Sequence, residues 1–181
     1  MKVTPAPIPD VLFIEPAVFR DSRGLFFESW NARDFARSTG YEPRFVQDNH
    51  SRSQRGVLRG LHYQIRQSQG KLVRVVRGRV FDVVVDLRRS SPTFGQWCGS
   101  ELSEDSYRLM WIPVGFAHGF LVLSESADFF YKCTDYYAQD YERCVIWNDP
   151  AIGVAWPLEG EPILSERDRA GVLLRDAEVF P

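Results

Sequence analysis

LVRVVRGRVFDVVVDL, residues 72–87, is the stretch whose reading decides the fold class. Val73 and Val75 alternate with Leu72, Arg74 and Val76, and beyond Arg77-Gly78 the chain runs into Val80, Phe81, Val83, Val84 and Val85. β-Branched residues at this density favour strands, and glycine supplies the positive φ of a tight turn. The stretch therefore reads as a β-hairpin with one face turned inward. Val83, Val84 and Val85 in a row predict a segment buried on both faces.

The same texture extends in both directions. Thirteen glycines and eleven prolines punctuate short apolar runs, and aromatic residues make up 14% of the chain. Segments 11–19, 25–30, 44–51, 57–64, 94–102, 108–112, 120–123, 128–134 and 144–147 read as further strands. One helix is expected over 31–38, with Asn31 as its N-cap and Gly40 past its end. Ser165 and Asp168 bracket a capped turn or short helix near the C-terminus. About ten short strands without repeat or linker predict a single all-β domain spanning 1–181, a barrel or jelly roll with few short helices.

Bulk properties narrow the function. A length of 181 residues suits one domain with its own core. A formal charge of −2 leaves no basic footprint for a nucleic-acid polymer. Cys98, Cys133 and Cys144 form no C-x-x-C pair and are odd in number, which suits a reducing compartment. The first thirteen residues lack the apolar core of a signal peptide. No apolar run approaches the ~18 residues that a membrane span needs. A cytoplasmic protein is the expectation.

Only three histidines occur: His50, His62 and His118. His62 follows Gly56 by six positions and precedes Gln64, with Lys71 and Gly78 beyond; His118 closes Pro113-Val-Gly-Phe-Ala-His118. These stretches resemble the two motifs of the cupin superfamily, which implies a cupin-type jelly-roll barrel. The departures matter. Gln64 stands where metal-binding cupins place a second histidine, and Lys71 where they place a glutamate. An ammonium group near two imidazoles repels a divalent cation, so no metal and no cofactor is expected. Without a metal, His62 is free to act as a base and Lys71 to face developing negative charge. Taken alone, a barrel histidine is more often a hydrogen-bonded core residue, and a lone lysine is more often a surface group.

Longer stretches resemble the dTDP-4-dehydrorhamnose 3,5-epimerase family. They are Phe19 to Glu28, containing Arg23 and Phe26; Gln47-Asp-Asn49-His-Ser51; Leu58-Arg59-Gly-Leu-His62-Tyr-Gln64; and Gly70-Lys71-Leu-Val-Arg-Val. Asp82 to Arg88, Ser91 to Gly95, Ile112 to Phe120 and Tyr131-Lys-Cys-Thr follow in the same order. The resemblance runs from about residue 8 to Asp168.

It implies an isomerase that inverts C3 and C5 of dTDP-4-dehydro-6-deoxy-D-glucose in dTDP-L-rhamnose biosynthesis. Both carbons flank the C4 ketone, so either proton can leave to form an enolate. By resemblance His62 is the base, Tyr131 the acid on the opposite face, Asp168 the carboxylate that orients His62, and Lys71 the cation near O4. Arg23, Phe26, Glu28, Gln47, Asn49, Arg59, His118, Tyr137, Glu142 and Arg167 fall at ligand-contact positions. Arg167 replaces an expected lysine, which keeps the charge and changes its reach. Arg23, Phe26 and Glu28 are expected to reach a neighbouring subunit's site, which implies a homodimer.

Other arginines, Arg52, Arg55, Arg66, Arg88 and Arg89, read as solvated surface. Three rival readings remain open. One is an epimerase acting on a single carbon of a related deoxysugar, with nearly the same acid–base residues. Another is a metal-dependent cupin, against which Gln64 and Lys71 weigh. The third is a non-catalytic cupin that binds a nucleotide sugar, for which His62, Lys71, Tyr131 and Asp168 would have little joint purpose.

Overall fold

A computed structural model describes all 181 residues. Its strands are β1 (Lys2–Pro5), β2 (Leu12–Glu15), β3 (Val18–Asp21), β4 (Gly24–Phe27), β5 (Gln47–Gln54), β6 (Leu58–Gln64), β7 (Lys71–Arg77), β8 (Arg79–Asp86), β9 (Trp97–Ser103), β10 (Leu109–Ile112), β11 (Phe116–Val122), β12 (Ser126–Cys133) and β13 (Glu142–Cys144). Two short helices, α1 (Ala32–Thr39) and α2 (Glu166–Arg169), lie at the periphery. Neither is long and apolar enough to cross a membrane.

Two antiparallel sheets make the barrel. Six strands pair in the order β1-β2-β10-β7-β12-β5, and five in the order β13-β6-β11-β8-β9. The expected jelly roll is therefore present, but the expected hairpin is not. β7 pairs with β10 and β12, whereas β8 pairs with β11 and β9. Only Gly78 separates the two strands, too few residues for a two-residue hairpin loop. The chain bends there, at φ 77°, and passes from one sheet to the other. A Cβ on Gly78 would sit 2.1 Å from the Ser126 carbonyl oxygen, so the corner admits only glycine.

The burial expected of β8 is met, since Val83, Val84 and Val85 are all fully buried. Alternate residues serve two cores. Val80 and Val84 join Val73, Val75, Met110, Phe120 and Phe129 between the sheets. Val83 and Val85 face outward and pack with Leu61, Tyr63, Leu87 and Val145 beneath Trp156, Val179 and Phe180 of the C-terminal segment. That segment is pinned by bridges from Val145 to Val172 and from Arg88 to Phe180. It carries α2 to the edge of β6.

Local expectations hold at α1, where the Asn31 side chain accepts from the Asp34 N–H and Gly40 caps the other end in the left-handed conformation. Segment 11–19 is split, with β2 in the main sheet and β3 in a separate two-stranded hairpin with β4. β1 carries no alternation that marks it as a strand; it is an edge ended by Pro5, where a missing N–H is tolerated. Arg88 is not solvated. Its guanidinium holds Asp86 and Asp10, each at 2.7 Å, and lies over the Phe116 ring. Asp86 and Asp10 explain what isolated sequence position could not. Arg52 is exposed as expected, though it grips Asp128.

Candidate active site

The site starts from a slip in register. His62 on β6 is the partner of His118 on β11, yet Arg59 is the partner of Phe120. Three steps on β6 thus oppose two on β11, a bulge centred on Gly60 and Leu61. Strict alternation would put Arg59 and His62 on opposite faces. The bulge puts both on the inner face with His118 and Phe120. Gly60 is required here, because a Cβ would meet Gly119 Cα at 2.5 Å and the His118 oxygen at 2.8 Å.

α2 supplies the partner for His62. Asp168 is buried, and its Oδ1 lies 2.6 Å from His62 Nε2, although out of line for a well-formed hydrogen bond. The same oxygen accepts from the Gly60 N–H at 3.1 Å, while Oδ2 accepts from the Ser165 hydroxyl at 2.6 Å. Ser165 in return accepts from the Asp168 N–H, so the capping box of α2 also aims the carboxylate. Burial alone would raise the Asp168 pKa. The contacts from His62, Ser165 and Gly60 outweigh it and hold the carboxyl at about 2.

Lys71, at the start of β7, and Tyr131, on β12, enter the same interior from the opposite sheet. Val73 and Tyr131 are register partners, as are Lys71 and Cys133. Desolvation lowers the Lys71 pKa, against the charges of Cys133, Glu142 and Asp82. Burial pushes Tyr131 up to about 12, with Cys133 and Glu142 adding to it and Arg59 opposing. Its hydroxyl therefore stays protonated at neutral pH, as an acid must before it acts.

The residues expected to contact ligand divide into two groups. In the first, Gln47 accepts from the Tyr137 N–H at 2.8 Å and donates to Asn49 at 3.0 Å. The Tyr137 hydroxyl donates to Glu142 at 2.7 Å, and Arg167 pairs with that same carboxylate. Arg59 donates to Ser53 at 3.0 Å. His118 is buried, its Nε2 3.0 Å from Asp82. Arg23, Phe26 and Glu28 form the second group. They lie on or beside the β3–β4 hairpin, which joins neither main sheet, and within one chain they are not gathered around His62. Phe26 is 69% exposed and Arg23 binds only its neighbour Asp21.

Of the positions that hold metal in other cupins, those of Gln64 and Lys71 offer no ligand here. Gln64 spends its amide on the Gln67 and Tyr136 carbonyls and its oxygen on the Ala138 N–H. It braces the loop that carries Tyr137. Lys71 adds positive charge. Two further residues beside these groups escaped the sequence reading. Asp82 is the one acid inside the apolar run of β8, a signal that could have marked it as a buried partner. Cys144, opposite His62 in the register of β13 and β6, gave no local signal at all. A cleft of about 490 Å³ lined by Arg55, Arg79, Leu121 and Ile163 contains none of these groups.

Known proteins share this arrangement of strands and sequence. The family model for dTDP-4-dehydrorhamnose 3,5-epimerase matches residues 5–176. The chain belongs to that family. A dTDP-4-dehydrorhamnose 3,5-epimerase of Pseudomonas aeruginosa is 62% identical over 181 residues, the full length of both chains. The crystal structure of dTDP-6-deoxy-D-glucose-3,5-epimerase of Legionella pneumophila, in complex with dTDP-4-keto-L-rhamnose, superposes with a TM-score of 0.96 at 51% identity. It covers 98% of this chain and 94% of its own. A 4-keto-6-deoxy sugar epimerase from the novobiocin gene cluster of Streptomyces spheroides gives a TM-score of 0.92 at 40% identity, covering 97% and 88%. By family, then, this dTDP-4-dehydrorhamnose 3,5-epimerase relative is an epimerase built on a cupin barrel.

Proposed function

We propose that this epimerase inverts C3 and C5 of dTDP-4-dehydro-6-deoxy-D-glucose through enolate intermediates, with His62 and Tyr131 as the acid–base pair. The observation that carries the reading is His62 set against a carboxylate that stays ionised, in a barrel whose other sheet presents Tyr131 and Lys71. With Asp168 beside Nε2, the ring proton sits on that nitrogen and leaves Nδ1 with a lone pair. Nδ1 takes the proton from C3 or C5, and the C–H electrons move onto the C4 oxygen. The imidazolium so formed faces Asp168, and Lys71 faces the enolate oxygen. Tyr131 then protonates the carbon from the opposite face, which inverts it.

Binding of the nucleotide is assigned to the group around Tyr137 and Glu142. Arg59 and Arg167 are the cations suited to a diphosphate, with Gln47, Asn49, His118, Tyr137 and Glu142 around them. Arg23, Phe26 and Glu28 fit this scheme through a homodimer in which the β3–β4 hairpin completes the neighbouring subunit's site. The exposed Phe19, Leu25 and Phe26 on that hairpin support it. Residues 1–181 act as one domain, and three unpaired thiols favour work in the cytoplasm.

The test is incubation with dTDP-4-dehydro-6-deoxy-D-glucose in D₂O, followed by NMR. Deuterium at both C3 and C5, lost in His62→Ala, is the expected result. Tyr131→Phe should still exchange through His62 but return the proton to the same face, giving label without inversion. Label at one carbon alone would instead make this a single-carbon epimerase. No label at all would overturn the catalytic reading and leave a binding protein.

A further inference from the structure

The edge of β6 holds a second chemistry that the epimerisation does not use. β13 runs antiparallel to β6 with Cys144 opposite His62, so both side chains point to one face. α2 brings Asp168 to the same point. A ring nitrogen of His62, Sγ of Cys144 and a carboxylate oxygen of Asp168 all lie within 4.8 Å of one another. His62 Nε2 is buried and lacks a well-aligned hydrogen bond. We infer that His62, Cys144 and Asp168 form a binding site for a zinc ion, which inhibits the enzyme by taking Nε2 of His62 and so leaving the ring's one proton on Nδ1, the nitrogen assigned as base.

Zinc bonds of about 2.0–2.3 Å in a tetrahedron imply ligand separations of roughly 3.3–3.8 Å. The three atoms reach that spacing if the 2.6 Å contact between His62 and Asp168 opens and the others close by similar small movements. One nitrogen, one sulfur and one oxygen donor suit zinc rather than magnesium or calcium, which take oxygen sets. Three protein ligands leave the fourth position to water from the cavity. Binding is a coordination step without oxidation: the thiol proton leaves to solvent, and thiolate, imidazole and carboxylate each donate an electron pair. Burial and the charges of Asp168 and Glu142 hold the free thiol protonated. Those same charges draw a cation. The site shares only His62 with the metal position of other cupins, and it subtracts activity, because coordination at Nε2 fixes the ring proton on Nδ1 and removes the lone pair that accepts the substrate proton.

The inhibitory half rests on the proposed role of His62; the binding half does not. The full-length protein, stripped with a chelator, is titrated with Co²⁺ as a spectroscopic substitute, and zinc is added to the deuterium-exchange assay. One equivalent of Co²⁺ should produce a thiolate-to-cobalt charge-transfer band that zinc abolishes. Zinc should inhibit exchange where magnesium does not. Cys144→Ser and Cys144→Ala should keep exchange without zinc and lose the cobalt band. Both should weaken zinc inhibition by at least the roughly 10–100-fold that loss of an outer-shell partner costs. A band absent from the native protein, a band surviving in both variants, or equal zinc inhibition of native and variant proteins would overturn the site. If the native protein exchanges no deuterium, the proposed function fails, and the cobalt band alone still decides the zinc site.

Discussion

His62 and His118 are register partners on neighbouring strands, and each faces an aspartate, but the two pairs are built in opposite ways. Asp168 arrives on a helix with a donor on each oxygen, the Gly60 N–H on one and the Ser165 hydroxyl on the other, and with His62 Nε2 2.6 Å from the first. Its carboxyl is held at about 2. Asp82 sits mid-strand, fully buried, with both oxygens near the one nitrogen of His118. There burial dominates and raises the pKa, against the pull of His118 and Lys71. Both carboxylates are buried to nearly the same extent by surface area. The additional donors at Asp168 outweigh its burial, whereas at Asp82 burial prevails, so the two carboxyls shift in opposite directions. The first pair offers an ionised carboxylate to an imidazolium, whereas burial disfavours the charge in the second.

The contrast is broken most directly by removing each histidine. His62→Ala should lower kcat by the ~10²–10⁴-fold typical of a lost acid–base group. His118→Ala should act mainly on KM, since His118 is assigned to binding. Equal losses of kcat from the two variants would mean that both pairs move protons. Lys71→Ala comes next. Loss of an oxyanion-stabilising group costs roughly 3–4 kcal/mol in the barrier, or about 10²–10³-fold in kcat. A Lys71→Ala enzyme with native kcat would remove Lys71 from the enolate.

The two pairs also differ in how far sequence could disclose them. His62 and Asp168 are 106 positions apart, and no periodicity joins them; the family resemblance did so, and the fold supplies the geometry. The capping residues Ser165 and Asp168 were readable as a helix start, but not as an aiming device for His62. The bulge at Gly60 was invisible because a bulge depends on the partner strand. The stretch 72–87 teaches the same limit. Its β-branched density correctly marks two buried strands, yet strand pairing is a long-range property, and Gly78 turns out to join sheets rather than close a hairpin. Asp82 was legible in principle, as a single acid among valines, while the half-buried Arg88 was less so, because Asp86 is only two residues away but Asp10 reaches it from a distant part of the chain.

Stability against pH sharpens the comparison with smaller effects. The Asp168 pKa is depressed from 3.8 to about 2, so its stabilisation is present above pH 4 and lost as pH falls toward 2. That gap corresponds to roughly 2 kcal/mol. Chemical denaturation of Asp168→Asn should show a deficit near neutral pH that shrinks across this acid range; a deficit unchanged by pH would refute the depressed pKa. Asp82 carries the opposite sign. Its pKa is raised, so the native fold favours the protonated form, and the contribution is lost as pH rises above the usual carboxylate range. An amide at position 82 never ionises, and it can still hydrogen-bond His118 Nε2 in either tautomer. Asp82→Asn should therefore gain on the native protein as pH rises, by on the order of the 1 kcal/mol of one hydrogen bond. If Asp82→Asn instead tracked Asp168→Asn, losing ground toward neutral pH, the two carboxyls would shift in the same direction, and the balance of donors against burial would no longer distinguish the pairs.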